Sequence, residues 1–127
     1  MTGIVLDAGA LIALERNDRA MWAALKLAVS RSADVIVPST ALAQVWRGSA
    51  SQAQLGKALQ YCVVASFAAL ARQVGELCGR TKTTDICDAH VAMIASHEGE
   101  RLYTSDPGDM QRLLVACGRR RPAIVRC

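Results

Sequence analysis

Five of the chain's seven aspartates gather in three places: Asp7 near the start, Asp85 with Asp88, and Asp106 with Asp109. Two ionised carboxylates about 6 Å apart repel by roughly 3 kcal/mol at an effective dielectric near 20. Four or five acids brought together must therefore bind protons or a cation. Hard divalent ions take oxygen ligands, and Mg²⁺ or Mn²⁺ accepts a few carboxylates while keeping waters and phosphate oxygens. Such a site polarises a phosphate and generates hydroxide for in-line attack, with no nucleophilic side chain. The competing layouts are absent: the sequence has no G-x-S-x-G, H-E-x-x-H, P-loop or G-x-G-x-x-G. Helix capping is the alternative for each acid. Asp106-Pro107-Gly108-Asp109 is a good helix start, Asp85 and Asp88 favour a helix N-terminus, and Asp7 precedes a run of helix formers.

The elements that must position these acids are legible in the hydrophobic pattern. Ile4-Val5-Leu6 is an unbroken branched apolar run, the mark of a strand buried on both faces, and it delivers Asp7 at its end. A helix is expected over Ala8–Glu15, a second through Met21, Leu25, Ala28 and Val29, and a strand at Val35-Ile36-Val37 closed by Pro38. Ser39 or Thr40 is expected to cap a helix with Leu42, Val45 and Trp46 on its apolar side and Thr40, Gln44 and Arg47 opposite. A short helix around Gln52 to Leu59 and a strand at Tyr61–Val64 follow. Phe67, Leu70, Val74 and Leu77 mark a helix from Ser66 to a stop near Gly79, and Arg80 to Thr84 reads as a polar linker.

The helix beginning near Asp85 is apolar almost all round and must be packed on both sides until Gly99 ends it. A strand at Arg101–Thr104 leads to Asp106, then come a helix with Pro107 in its first turn and a last strand at Ala123–Val125. Strands alternating with helices predict an α/β fold, a three-layer α/β/α sandwich on a parallel sheet. Ligands in such folds sit outside the carboxyl ends of the strands, where Asp7 and Asp106 would stand.

With 127 residues, 52% of them hydrophobic, the chain suits one domain over 1–127. The net charge of +4 is compatible with a polyanionic partner. The five cysteines, with no C-x-x-C pair, fit neither a zinc nor a disulfide framework and point to a reducing compartment. No basic n-region precedes the first apolar stretch and no apolar run is long enough for a bilayer, so a cytoplasmic protein without membrane contact is expected. His90 and His97 read as packing or helix-surface residues, Trp22 and Trp46 as core or dimer contacts, and Arg119–Arg121 as a solvated turn. Thr104 and Ser105 either cap a helix or hold a water.

Ile4-Val5-Leu6-Asp7, Asp88-Ala89-His90-Val91-Ala92 and Thr104-Ser105-Asp106-Pro107-Gly108-Asp109 together resemble the PIN domain, and more narrowly the VapC-type ribonuclease toxins of bacterial toxin–antitoxin pairs. The resemblance covers essentially the whole chain. It implies a PIN-like sandwich, Mg²⁺- or Mn²⁺-dependent cleavage of RNA, homodimers, and inhibition by a small cognate antitoxin. It assigns the metal to Asp7, Asp88 and Asp106, with Asp109 and Asp85 as additional ligands or supporting groups. The family's glutamate on the helix after the second strand is replaced here by Gln44, whose amide oxygen can still ligate a cation or hold its water but brings no charge. Arg47 is expected one helical turn beyond, available to a substrate phosphate or an antitoxin carboxylate.

Overall fold

The computed structural model describes residues 3–127. Their strands are β1 (Gly3–Leu6), β2 (Asp34–Pro38), β3 (Val63–Ala65), β4 (Arg101–Thr104) and β5 (Ala123–Arg126), joined by helices α1 (Ala8–Glu15), α2 (Arg19–Ser30), α3 (Ser39–Val45), α4 (Ala53–Leu59), α5 (Ala71–Thr81), α6 (Ile86–Glu98) and α7 (Pro107–Cys117). The sheet order is β3-β2-β1-β4-β5, and every neighbouring pair is parallel. From β1 the chain walks outward through β2 and β3, then returns to build β4 and β5 on the other side. Right-handed crossovers then put α1, α2 and α4 on one face and α5, α6 and α7 on the other, in keeping with the observed helix contacts. The fold is the three-layer α/β/α sandwich expected from the pattern.

The two apolar runs form the middle of the sheet because only there are both faces covered: Val5, Leu6, Val35 and Val37 are all buried. Helix α6 lies across β1 and β2, and every residue from Ala89 to Ser96 is buried, as its all-round apolar composition requires. Where β1 and β4 run side by side the chain reverses direction of travel, which opens a crevice at their carboxyl ends. The β1–β4 register pairs Leu6 with Tyr103, and the Asp7 N–H extends the ladder to the Tyr103 carbonyl at 3.1 Å. Among the described residues no helix is long and apolar enough to cross a membrane.

Several local expectations are corrected. The third strand begins two residues late, because the Tyr61 and Cys62 N–H groups are still donated to Ala58 and Leu59 as the preceding helix unwinds. The region from Phe67 to Leu70 forms a tight single turn before α5, and Gly79 does not stop that helix. Helix α5 runs to Thr81 and ends where Lys82 turns left-handed, at φ 56°. Neither Ser39 nor Thr40 caps α3: the cap position is Pro38, and both hydroxyls bond elsewhere. Helix α3 also ends at Val45, so Arg47 does not continue the face of Thr40 and Gln44, and Trp46 is 41% exposed rather than core. The cause is Gln52, a buried amide that accepts from the Arg47 and Gly48 N–H groups and donates to the Val45 carbonyl and to Glu15. By capturing those groups it pulls the chain out of the helix.

One close approach fixes the crevice. A Cβ on Gly9 would fall 3.0 Å from the Ser105 backbone nitrogen and closer still to its side chain, so only glycine lets α1 lie against the loop that carries Asp106. Gly9→Ala is therefore expected to lower stability by about 1–3 kcal/mol. Thermal unfolding checks this, with partial recovery in Gly9→Ala/Ser105→Gly; an unshifted midpoint for the single variant would show that the loop yields freely.

Candidate functional site

Each acid is delivered by a different strand end or helix start. Asp7 leaves β1 and caps α1, its Oδ1 accepting from the Ala10 N–H at 3.0 Å. Asp106 leaves β4 and caps α7, its Oδ1 accepting from the Asp109 N–H at 3.3 Å. Asp85 caps α6 by accepting from the Asp88 N–H at 2.9 Å. Capping therefore holds for all three, and it does not compete with a site. Each cap occupies one carboxylate oxygen, and the Asp7 carboxylate is met as well by the Thr104 hydroxyl and the Gly9 and Ser105 N–H groups, while the helix N-termini supply partial positive charge to anions that would otherwise repel.

The convergence is read from electrostatics. Burial pushes the Asp88 carboxyl up to about 7, and the charges of Asp85, Asp7 and Asp106 push it the same way. Asp88 is the member of this group that does not cap a helix. Asp7 is also raised, by burial, against the opposing pull of the Thr104 hydroxyl and the N–H groups of Ala10, Gly9 and Ser105. Thr104 does not cap α7, a role that falls to Asp106. Thr104 is fully buried, bonds the Asp7 carboxylate and accepts from the Asp106 N–H at 2.9 Å, so it ties two of the acids together. Ser105 is exposed beside Gly9, and Asp109 is exposed in the first turn of α7.

Gln44 stands exposed on α3 and lines an open cleft of about 490 Å³ with Ala8, Arg16 and Arg47. Its lining includes Ala8, the residue after Asp7 in the chain, and none of the five clustered aspartates. Three further residues reach the site without having been singled out as part of it. Burial, its largest influence, pushes the Cys87 thiol up to about 11 and keeps it protonated; the charges of Asp88, Asp85 and Asp7 act the same way and the Thr40 hydroxyl acts against them. Thr40 in turn lies 2.7 Å from Nδ1 of His90, which is completely buried and packs edge-on to Phe67. The sequence signal for them is slight: Cys87 and His90 sit in a helix that is apolar almost all round, and Thr40 lies on the polar face of its helix with Gln44. His97, by contrast, is exposed, with Nδ1 2.8 Å from the Met93 carbonyl. Trp22 is half-buried and donates to the Leu14 carbonyl, and Arg119–Arg121 is exposed beyond α7.

The donor chemistry fits a hard dication: oxygen ligands, net negative charge, and a carboxyl raised by burial first and by its acidic neighbours second. Among the described residues, however, no three His, Cys, Asp or Glu side chains stand close enough to enclose a metal ion as they are placed.

No family model matches the chain, and no curated protein matches it. A solved structure does: VapBC2 from Rickettsia felis bound to a DNA fragment from their promoter, at 15% identity and a TM-score of 0.69 over 100% of this chain and 99% of that one. At that identity the likeness shows the fold alone, a three-layer α/β/α sandwich on a parallel sheet.

The state of Asp88 has a measurable consequence. Its carboxyl binds a proton more tightly when folded, at about 7, than at the ordinary 3.8. Between those values the folded chain holds the extra proton, so its stability falls as pH rises through the window and levels off above it. Asp88→Asn mimics the protonated form. It is expected to flatten this part of the metal-free profile and to be the more stable chain above neutrality, as read by thermal midpoints against pH. Parallel profiles would show that Asp88 is not the crowded group.

Proposed function

We propose that this chain is a Mg²⁺- or Mn²⁺-dependent endoribonuclease of the VapC kind, held in check by a cognate protein antitoxin. The observation that carries this reading is that Asp7 and Asp106 leave the carboxyl ends of the adjacent parallel strands β1 and β4, where their charges and that of Asp85 help to raise the Asp88 carboxyl. Asp7, Asp88 and Asp106 would hold the cation through the oxygens that capping leaves free, with Asp109 and Asp85 at the rim. When bound, the dication supplies Lewis-acid polarisation of a phosphate and lowers the pKa of a water.

The chain's own residues do the rest. Thr104 keeps Asp7 and Asp106 in fixed relation, and Asp88 takes or gives a proton near neutral pH when no cation is present. Gln44 completes the shell or orients a water through its amide oxygen. Arg16 and Arg47, which line the same cleft, meet a phosphate of the RNA or a carboxylate of the antitoxin. The fold neighbour is a VapBC2 assembly on promoter DNA, which supports a paired protein and a nucleic acid among the partners here. The homodimer rests on the family resemblance.

Purified chain supplied with Mn²⁺ is expected to cleave RNA, and Asp7→Asn to slow cleavage by about 100-fold or more. Cleavage undiminished in that variant would refute the assigned site.

A second reading, a module that binds RNA or a partner without cutting, is favoured by two facts: the acids do not enclose a cation as placed, and Gln44 is neutral. Calorimetric titration separates the two. Absence of binding at millimolar Mn²⁺ supports the second reading, and Mn²⁺ affinity gained in Gln44→Glu assigns the loss to the missing charge.

A further inference from the structure

An open cleft of about 600 Å³ lies between α2 and α4, and none of the clustered aspartates lines it. Its walls follow helical spacing. Arg19, Trp22, Ala23 and Lys26 fall at intervals of three and four on α2, opposite the face that buries Met21, Leu25 and Ala28. On the other wall Gln54 and Lys57 stand three apart on α4, and Gln60 and Tyr61 follow where that helix unwinds. Three cations and two aromatic rings thus line one opening, and among the described residues none of its lining is acidic. The acids nearest in the chain are engaged elsewhere: Asp18 Oδ2 accepts from the Met21 N–H at 2.9 Å, and Glu15 Oε1 from the Gln52 amide at 2.8 Å.

The two rings are presented differently. Trp22 is half-buried and its indole N–H donates to the Leu14 carbonyl at 3.1 Å, which holds the ring in one orientation before anything binds. Tyr61 is 56% exposed. The cations alone would attract any polyanion, and the remaining groups narrow the choice. An acidic amphipathic helix docks by burying an apolar stripe, and Ala23 is the one aliphatic residue lining this cleft. Leu25 and Val29 line a smaller hollow of about 230 Å³ that shares Trp22, Lys26 and Tyr61 with it. A duplex brings phosphates but keeps its base faces stacked on one another. An unpaired strand brings phosphates for the cations, base faces for the rings, and base edges for the amides of Asn17, Gln54 and Gln60.

We propose that the α2–α4 cleft is a binding surface for single-stranded nucleic acid, in which Arg19, Lys26 and Lys57 meet phosphates and Tyr61 stacks a base beside the fixed ring of Trp22. The inference rests on the nucleic-acid partner of the reading above, but on neither cleavage nor a cation. RNA and DNA strands share the chemistry it uses.

The experiment is fluorescence anisotropy on the full chain in EDTA, with labelled oligouridylate and oligodeoxythymidylate of about ten nucleotides. A duplex and an oligoglutamate of matched length serve as competing partners. The single strands are expected to bind more tightly than either, and preference for one sugar assigns the source. Arg19→Ala/Lys26→Ala/Lys57→Ala should lower affinity by at least about 10-fold and flatten the log–log salt slope by about 2. Arg119→Ala/Arg120→Ala/Arg121→Ala removes the same charge beyond α7 and should leave both near wild type. Tyr61→Leu should weaken binding by about 10-fold, and Tyr61→Phe should restore it. Equal losses in the two triple variants would overturn the proposal, as would a duplex or oligoglutamate that binds as tightly as the strands, or a folded wild type that binds none of them. Strand binding by a chain that does not cleave RNA with Mn²⁺ refutes the nuclease reading alone. Cleavage by a chain whose cleft variants bind as wild type does refutes this inference alone.

Discussion

Carboxylates crowded at one edge of a sheet must be neutralised, and in this fold the first neutralisation comes from helix ends. Every helix that follows a strand in a parallel sheet starts at the carboxyl edge, with its free N–H groups turned toward it. Asp7, Asp85 and Asp106 use those groups as caps for α1, α6 and α7. The arrangement that stabilises three helices is therefore also the one that gathers three anions, and a cap engages only one oxygen of each. Asp88 stands inside the first turn and takes no cap role; burial first, and then the charges of Asp85, Asp7 and Asp106, lift its carboxyl to about 7.

The sheet order makes the gathering possible. Because β1 and β4 are adjacent yet belong to chain segments that travel in opposite directions, the loops after them diverge and leave room between Asp7 and Asp106. Thr104 then sets the spacing from beneath, bonding one acid and the backbone of the other. Gly9 allows α1 to close on Ser105 without displacing that loop. Burial of α6 from Ala89 to Ser96 does the same for the other half of the site, because a helix enclosed on all sides cannot slide and its first turn stays in register with β1.

What could be read from the sequence followed from period and from local chemistry. Unbroken runs such as Val35-Ile36-Val37 have no solvent face, so a parallel sheet was their natural home, and caps were visible as Asp before helix formers. Interactions between distant residues were not visible. Nothing near Arg47 in the chain announces that Gln52 will take the N–H groups of Arg47 and Gly48, so extending α3 through Trp46 was reasonable and wrong. Gly79 is a good stop by propensity, yet Val74, Leu77 and Cys78 are buried and hold α5 together past it, leaving Lys82 to take the left-handed turn. His90 was legible as a packing residue; its pairing with Thr40, fifty positions away, was not. The candidate acids were all identifiable by type and spacing, whereas the groups that orient them required the fold.

Gln44 sharpens the electrostatic argument. Its cleft includes Ala8, next in the chain to an Asp7 whose carboxyl burial already raises. A glutamate there would bring another anion toward a cluster in which Asp88 retains its proton to about pH 7, and each further anion raises the free energy of the cation-free chain. Against a bound dication the same added charge would be favourable. An amide at this position therefore exchanges cation affinity for ease of folding without one.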